Sequence, residues 1–256
     1  MIPPAVRIIG PGRAGTSLAW ALSDAGWEVA PLVGRRDDPR EAAVGVDMVV
    51  LATPDDTLPA VAAAVEPSPT TLFVHLAGSR SLDVLAPHAR RASVHPLVAL
   101  PTPEIGAKRL VGAWYAVAGD PEARRIVAAL DGRPFAVDDA DRALYHATAV
   151  VASNHLVALM GQVERLAAAA GVPFDAYLDL AAETLDNVRD LGPAAALTGP
   201  AARGDEATIE HHLAALPEGE RAAYRALADA ARRLAAERPA ETEPAAEPGE
   251  EPGDEP

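Results

Sequence analysis

Three glycines near the start of the chain, Gly10, Gly12 and Gly15, stand in the spacing Gly-x-Gly-x-x-Gly, with Pro11, Arg13 and Ala14 between them. Glycines at this spacing can seat a diphosphate: the first permits a tight turn, the second lets backbone approach phosphate oxygens, and the third lets a following helix pack closely. A second set of residues suits proton handling. In order of preference these are His95, His146 and the single lysine, Lys108. An imidazole titrates near neutral pH and can protonate a developing alkoxide. Asn154 and Ser79 cannot do that, but either can hydrogen-bond and orient a carbonyl. Each also has a plainer reading: His95 shapes the turn before Pro96, His146 packs inside a helix, and Ser79 is a turn or cap residue.

These residues need a framework. An apolar run over residues 5–9 enters the glycines and leaves into a helix-like stretch over 16–22, so the order is strand, turn, helix. The start of that helix offers free N–H groups and a positive dipole end to an anion. Residues 27–33 read as a second strand ending at Gly34-Arg35-Arg36. A site for NAD places a carboxylate at that tip to bond the ribose 2′-hydroxyl. Two guanidiniums stand there instead and can grip a 2′-phosphate, which favours NADP(H). The alternative is a solvated pair balanced by Asp37 and Asp38.

Further strands are predicted at 47–52, 71–76, 92–94, 111–118 and 133–137, with helices at 58–65, 81–89 and 121–130. Strand and helix alternate through residue 138, which predicts a doubly wound α/β domain. Its tips at Thr53-Pro54-Asp55, Gly78-Ser79 and His95-Pro96 would line a cleft facing the second half of the chain. From residue 141 to 170 there is no proline, and one long helix is expected, with more helices over 174–191, 206–216 and 218–238. On that helix His146 and Ser153 lie seven residues apart and would share a face, with Asn154 beside them. The predicted organisation is a dinucleotide-binding domain over 1–138, a helical substrate and dimerisation domain over 139–236, and a disordered tail over 237–256.

Composition narrows the function. Cysteine is absent, which excludes thiolate nucleophiles, disulfides and Cys-based metal sites. Of the net charge of −15, the last twenty residues carry −7, from eight acidic side chains against one arginine. An acidic body argues against nucleic acid as a partner. Adjacent His211 and His212 diverge by about 100° on a helix, so no metal is expected. No apolar run approaches the ~20 residues that cross a bilayer, and a cytoplasmic protein without membrane attachment is expected.

The glycine motif, the Thr53-Pro54-Asp55-Asp56 tip, Ser153-Asn154 and the segment Leu197-Thr198-Gly199-Pro200-Ala201-Ala202-Arg203-Gly204-Asp205 together resemble the Rossmann-like/DUF2520 family. That family lies within the 6-phosphogluconate dehydrogenase-like superfamily, beside β-hydroxyacid dehydrogenases, ketopantoate reductases and pyrroline-5-carboxylate reductases. The resemblance implies an NADP(H)-linked reductase of a small oxo acid, ketopantoate-like in the leading case, and a homodimer joined through the helical domains. It also implies a catalytic lysine one helical turn before Asn154, but Val150 stands there. The expected site is then His95, His146, Ser79 and Asn154 for catalysis, and Arg203 and Ser153 for the substrate. Gly10, Gly12, Arg13, Ala14, Gly15, Arg35, Arg36, Thr53 and Pro54 would hold the cofactor. A reductase of imines and a non-catalytic NADP(H) sensor are the alternatives.

Overall fold

The structure is a computed structural model that describes residues 3–237. Apart from Glu237, the predicted acidic tail lies outside the described residues. Two compact units divide the chain at Leu156 and Val157, beyond the change of sequence pattern at Asp138.

The first unit is built on a seven-stranded sheet: β1 (Ala5–Ile9), β2 (Glu28–Val29), β3 (Met48–Leu51), β4 (Leu72–His75), β5 (Arg91–Pro96), β6 (Trp114–Gly119) and β7 (Arg133–Ala136). Their spatial order is 2-1-3-4-5-6-7; β1 to β5 are parallel, β6 runs antiparallel to β5, and β7 is parallel to β6. The chain leaves β1 toward β2 on one side and returns to β3 on the other. The carboxyl tips of β1 and β3 therefore adjoin at the point where such sheets bind ligands. Helices α1 (Arg13–Asp24), α2 (Leu58–Ala64), α3 (Pro103–Leu110), α4 (Arg124–Ala129) and α5 (Arg142–Val150) accompany the sheet.

Side chains alternate across the strands, so each face has its own core. Val6, Ile8, Met48, Val50, Leu72, Val74 and Val94 face α1, α3 and α4, with Leu18, Leu22, Leu110 and Ile126 packed on them. Ile9, Val49, Leu51 and Phe73 face the other way, under Leu58 and Leu85. His75, Ser93 and His95 follow Phe73 in that alternation and share this second face. The opposite face is continuously apolar, as a sheet covered by helices requires.

Several predicted elements differ from those observed. The second strand shrinks to Glu28–Val29 with a single further bridge at Val33, because Pro31 cannot donate to a ladder. The helix expected over 81–89 is only a short 3-10 turn, Leu82–Leu85, since Pro87 cannot continue it. Helix α3 was not predicted; its start is fixed by the Thr102 hydroxyl accepting from the Ile105 N–H.

The long helix is continuous from Asp139 to Ala170, but not regular. A 3-10 turn leads into α5, a π-helical turn spans Val151–His155, and α6 (Leu156–Ala170) completes it. One 18-residue window within it reaches a mean hydropathy of 1.2, long and apolar enough to cross a bilayer by length and composition alone. Length and composition do not by themselves place it in one. In the second unit α6 is committed to protein contacts: Gln162 donates to the Glu220 carbonyl at 3.0 Å, and Arg165 pairs with the Glu220 carboxylate at 2.7 Å. That unit also contains α7 (Phe174–Leu191), α8 (Pro193–Ala196), α9 (Pro200–Arg203), α10 (Glu206–Ala215) and α11 (Glu218–Ala236).

Candidate active site

The glycine turn has the geometry its spacing predicts. Gly10 adopts φ of 106°, and a Cβ there would lie 2.7 Å from the Ala52 carbonyl oxygen. Gly15 is tighter still: a Cβ would sit 2.0 Å from the Gly10 carbonyl oxygen, so α1 can lie this close to β1 only without a side chain. Gly12 differs from both, with open space in front of its missing Cβ. It is also the N-cap of α1, with no side-chain cap and no acidic residue in the first turn. The N–H groups of Arg13 and Ala14 begin that helix without intrahelical acceptors. Beside them the Thr53 hydroxyl is buried and unpartnered at the tip of β3. This combination fits a diphosphate: an approachable backbone, free donors at a positive dipole end, and a further hydroxyl.

At the tip of the second strand Arg35 and Arg36 are exposed. The carboxylates that could have balanced them are engaged in the turn itself. Asp37 accepts the Gly34 N–H at 2.7 Å, and Asp38 accepts the Arg40 N–H at 3.0 Å.

A polar cluster occupies the face of β4 and β5 under α5. His95 Nδ1 and the Tyr145 hydroxyl are 2.6 Å apart. Arg142, with its side chain 2% exposed, donates to Asp139 at 2.6 Å and to the Ser93 hydroxyl at 3.1 Å. His75 is fully buried with neither ring nitrogen bonded. His146 Nδ1 is likewise buried without a partner. Gly78 ties the cluster together, because a Cβ on it would meet His146 Nδ1 at 2.6 Å and His95 Nε2 at 2.9 Å. Both rings thus pack against its bare Cα, where no side chain would fit.

Burial decides the charge of these rings. Desolvation brings His75 and His95 down to about 4 from the usual 6.5; the Arg142 guanidinium pushes both the same way, and the Asp55 carboxylate opposes it. The Tyr145 phenol is pushed up to about 12 by burial. At neutral pH the cluster is therefore two uncharged imidazoles and a protonated phenol around one buried cation. His88 is a structural contrast: it stacks on Phe73 and bonds the Ala62 carbonyl at 2.8 Å.

The structure brings together only some of the residues expected in the site. His95 and His146 meet, with ring centres 6.0 Å apart. Ser79 is at the adjacent tip, but its hydroxyl donates to Asp55 at 3.0 Å. Pro54 is exposed on the next tip. Ser153 and Asn154 are exposed on the π-helical turn, where the Ser153 hydroxyl is 2.6 Å from the Ala149 carbonyl and 2.9 Å from Asn154 Oδ1. That turn breaks the 3.6-residue period, so the shared face expected for His146 and Ser153 does not carry across it. Lys108 is exposed on α3, which covers the face opposite the histidines. Arg203 is exposed at the end of α9 in the second unit, and Asp205 caps α10 by accepting the Thr208 N–H at 3.1 Å. His212 Nδ1 pairs with the Tyr224 hydroxyl at 2.6 Å. Sequence reasoning missed His75, Arg142 and Tyr145; the signal it could have used was a histidine in an otherwise apolar strand.

Comparison with known proteins supports this architecture. Solved structures that resemble the chain include a protein of Bacteroides fragilis provisionally assigned as an NADP oxidoreductase. It is 22% identical, with a TM-score of 0.73, covering 90% of this chain and 98% of that one. A reductive aminase from Aspergillus terreus, in complex with NADPH and ethyl levulinate, is 16% identical with a TM-score of 0.69 over 91% and 98% of the two chains. Pyrroline carboxylate reductase of Plasmodium falciparum, with NADP bound, is 12% identical with a TM-score of 0.61 over 92% and 99%. Likeness at these identities shows the fold. No curated protein matches the sequence. Residues 115–231 match the family described as Domain of unknown function (DUF2520). The stretch similar to that family runs from β6 into α11, within the two-part fold of a Rossmann-type sheet and a helical region.

Proposed function

We propose that the protein is an NADP(H)-dependent oxidoreductase that reduces a small oxo acid or the corresponding imine. The observation that carries this reading is the glycine turn, where Gly12 is open in front of an uncapped helix and Gly10 and Gly15 are locked by backbone contact. The NADP(H) bound by neighbouring folds is in keeping with it. Gly12, Arg13 and Ala14 hold the diphosphate through backbone N–H groups, with Thr53 and Pro54 closing the seat. Arg35 and Arg36 take the 2′-phosphate, which a guanidinium binds in bidentate fashion. When bound, NADPH supplies a hydride to an electrophilic carbon.

The chain's own residues supply the proton and the orientation. His95 Nε2, beside Gly78, is the donor to the substrate oxygen or nitrogen, and His146 lies against the same glycine. Asn154 orients the substrate carbonyl, while Ser153 serves the substrate carboxylate. A ketopantoate-like oxo acid is the leading substrate. The imine reading draws support from the reductive aminase and the pyrroline carboxylate reductase among the similar folds. The functional unit is a homodimer joined through the helical region, where Leu178, Leu180, Leu185 and Leu191 of α7 are exposed. NADPH consumption across a panel of 2-oxo acids and cyclic imines tests the assignment. Turnover of one class is expected; tight NADPH binding without turnover of any compound would identify a sensor instead.

A further inference from the structure

The reading just given leaves a chemical difficulty at His95. Its imidazole is buried beside Arg142 and faces a second imidazole, His146, so it is uncharged at neutral pH. An uncharged imidazole that gives up its only N–H becomes an imidazolate, which a buried site near pH 7 will not hold. It can act as an acid only if its other nitrogen gains a proton in the same event. That other nitrogen, Nδ1, is the one 2.6 Å from the Tyr145 hydroxyl.

We infer that Tyr145 and His95 form a two-residue proton relay, in which the Tyr145 hydroxyl re-protonates Nδ1 as Nε2 releases its proton to the substrate beside Gly78. This rests on the oxidoreductase reading and adds to it the group that replaces the absent lysine. The direction of the hydrogen bond follows from acidity: a phenol is the better donor and an imidazole the better acceptor. Nδ1 is therefore the bare nitrogen and Nε2 carries the hydrogen. Nε2 then lies beside Gly78, on the side of the ring away from Tyr145.

Tyr145 also has a route to solvent. It lines a cavity of about 310 Å³ with Ala136, Val137, Asp138, Asp141, Leu144 and Thr148, at the end of β7 and the start of α5. No electrons move along the relay. The Nε2–H bond breaks as the substrate O–H or N–H bond forms. The Tyr145 O–H bond breaks as Nδ1–H forms, and a water proton from the cavity restores the phenol. After product leaves, Nε2 takes a proton from water and Nδ1 loses one, which returns the starting tautomer. The groups facing His95 are His75 on β4, Asp55 at the β3 tip, and Arg142, Tyr145 and His146 on α5. Of these, Tyr145 is the one bonded to the ring.

The primary test needs no substrate. Nitrogen-15 NMR of histidine-labelled protein, assigned with His95→Asn, is expected to show His95 as the Nε2–H tautomer at pH 7. In Tyr145→Phe the Nδ1 resonance should move toward the protonated position. NADPH affinity, read by fluorescence titration, should be the same in wild type and Tyr145→Phe. Single-turnover reduction should slow by about 10²-fold or more, the usual worth of a positioned acid. A wild-type His95 protonated at Nδ1, or a folded Tyr145→Phe protein reducing substrate at the wild-type rate, overturns the relay. Failure of both proteins to bind NADPH overturns the oxidoreductase reading, a different result from loss of the tautomer alone.

Discussion

At His95 an imidazole that ordinarily titrates near 6.5 is held down to about 4, mainly because the ring is taken out of water and then because His146 and Arg142 face it. The neutral ring is the form that can accept a proton from Tyr145. It predominates above about 4; as the pH falls through that value the ring becomes an imidazolium, which donates without Tyr145, so the deficit of Tyr145→Phe should shrink there in a pH–rate profile. A deficit that shrinks near 6.5 instead would show that the ring is solvated in solution. The two guanidiniums act at a different point: Arg35→Ala with Arg36→Ala should weaken NADPH binding at least tenfold and leave NADH binding almost unchanged, by competitive fluorescence titration. His95, His146 and the arginines were legible as sequence because each follows a strand tip or lies on a long helix. Tyr145 and Arg142 were not, since their partners on β5 are Ser93 and His95, and nothing local marks that register.

Among the elements, the first strand, its glycine turn and α1 were readable because each glycine has a separate steric duty. Gly15→Ala places a methyl 2.0 Å from backbone oxygen, so α1 must move off β1 and the diphosphate seat is lost. NADPH binding should disappear, and thermal unfolding should show a destabilisation of about 2 kcal/mol or more, the scale of overpacking a closed site. Gly78→Ala tests the other tip. Its methyl would stand 2.6 Å from His146 Nδ1 and 2.9 Å from His95 Nε2 and displace both rings, so kcat should fall while NADPH affinity is kept. Equal loss of both would show that the displacement reaches the cofactor seat. The π-helical turn and α3 escaped the sequence reading for physical reasons. A π turn has no residue signature that separates Val151–His155 from regular helix, and in α3 the prolines at 101 and 103 and Gly106 mask a helix that needs Gly106 to pack on Ser17.

For the molecule as a whole, the buried cluster couples folding to pH. His75 binds a proton at about 4 in the folded protein and near 6.5 once exposed by unfolding. Between those values the unfolded chain holds the extra proton, so stability rises with pH across this window and is lost as the pH falls from 6.5 toward 4. The loss amounts to about 3 kcal/mol for this residue. Urea unfolding at pH 7 and pH 4.5 should show it, and His75→Leu should remove about half of the difference, because His95 is held down to about 4 as well. An unchanged difference in that variant would place the pH sensitivity elsewhere. The proposed pairing through the exposed leucines of α7 is expected to give a dimer by sedimentation at micromolar concentration, and a monomer there would remove it. The central claim is that the opening glycine turn and the Arg35–Arg36 tip select a phosphorylated dinucleotide. Isothermal titration of the full chain with NADPH and then NADH measures this directly. The account predicts one NADPH per chain, bound at least tenfold more tightly than NADH; heat from neither nucleotide, or a preference for NADH, would contradict it.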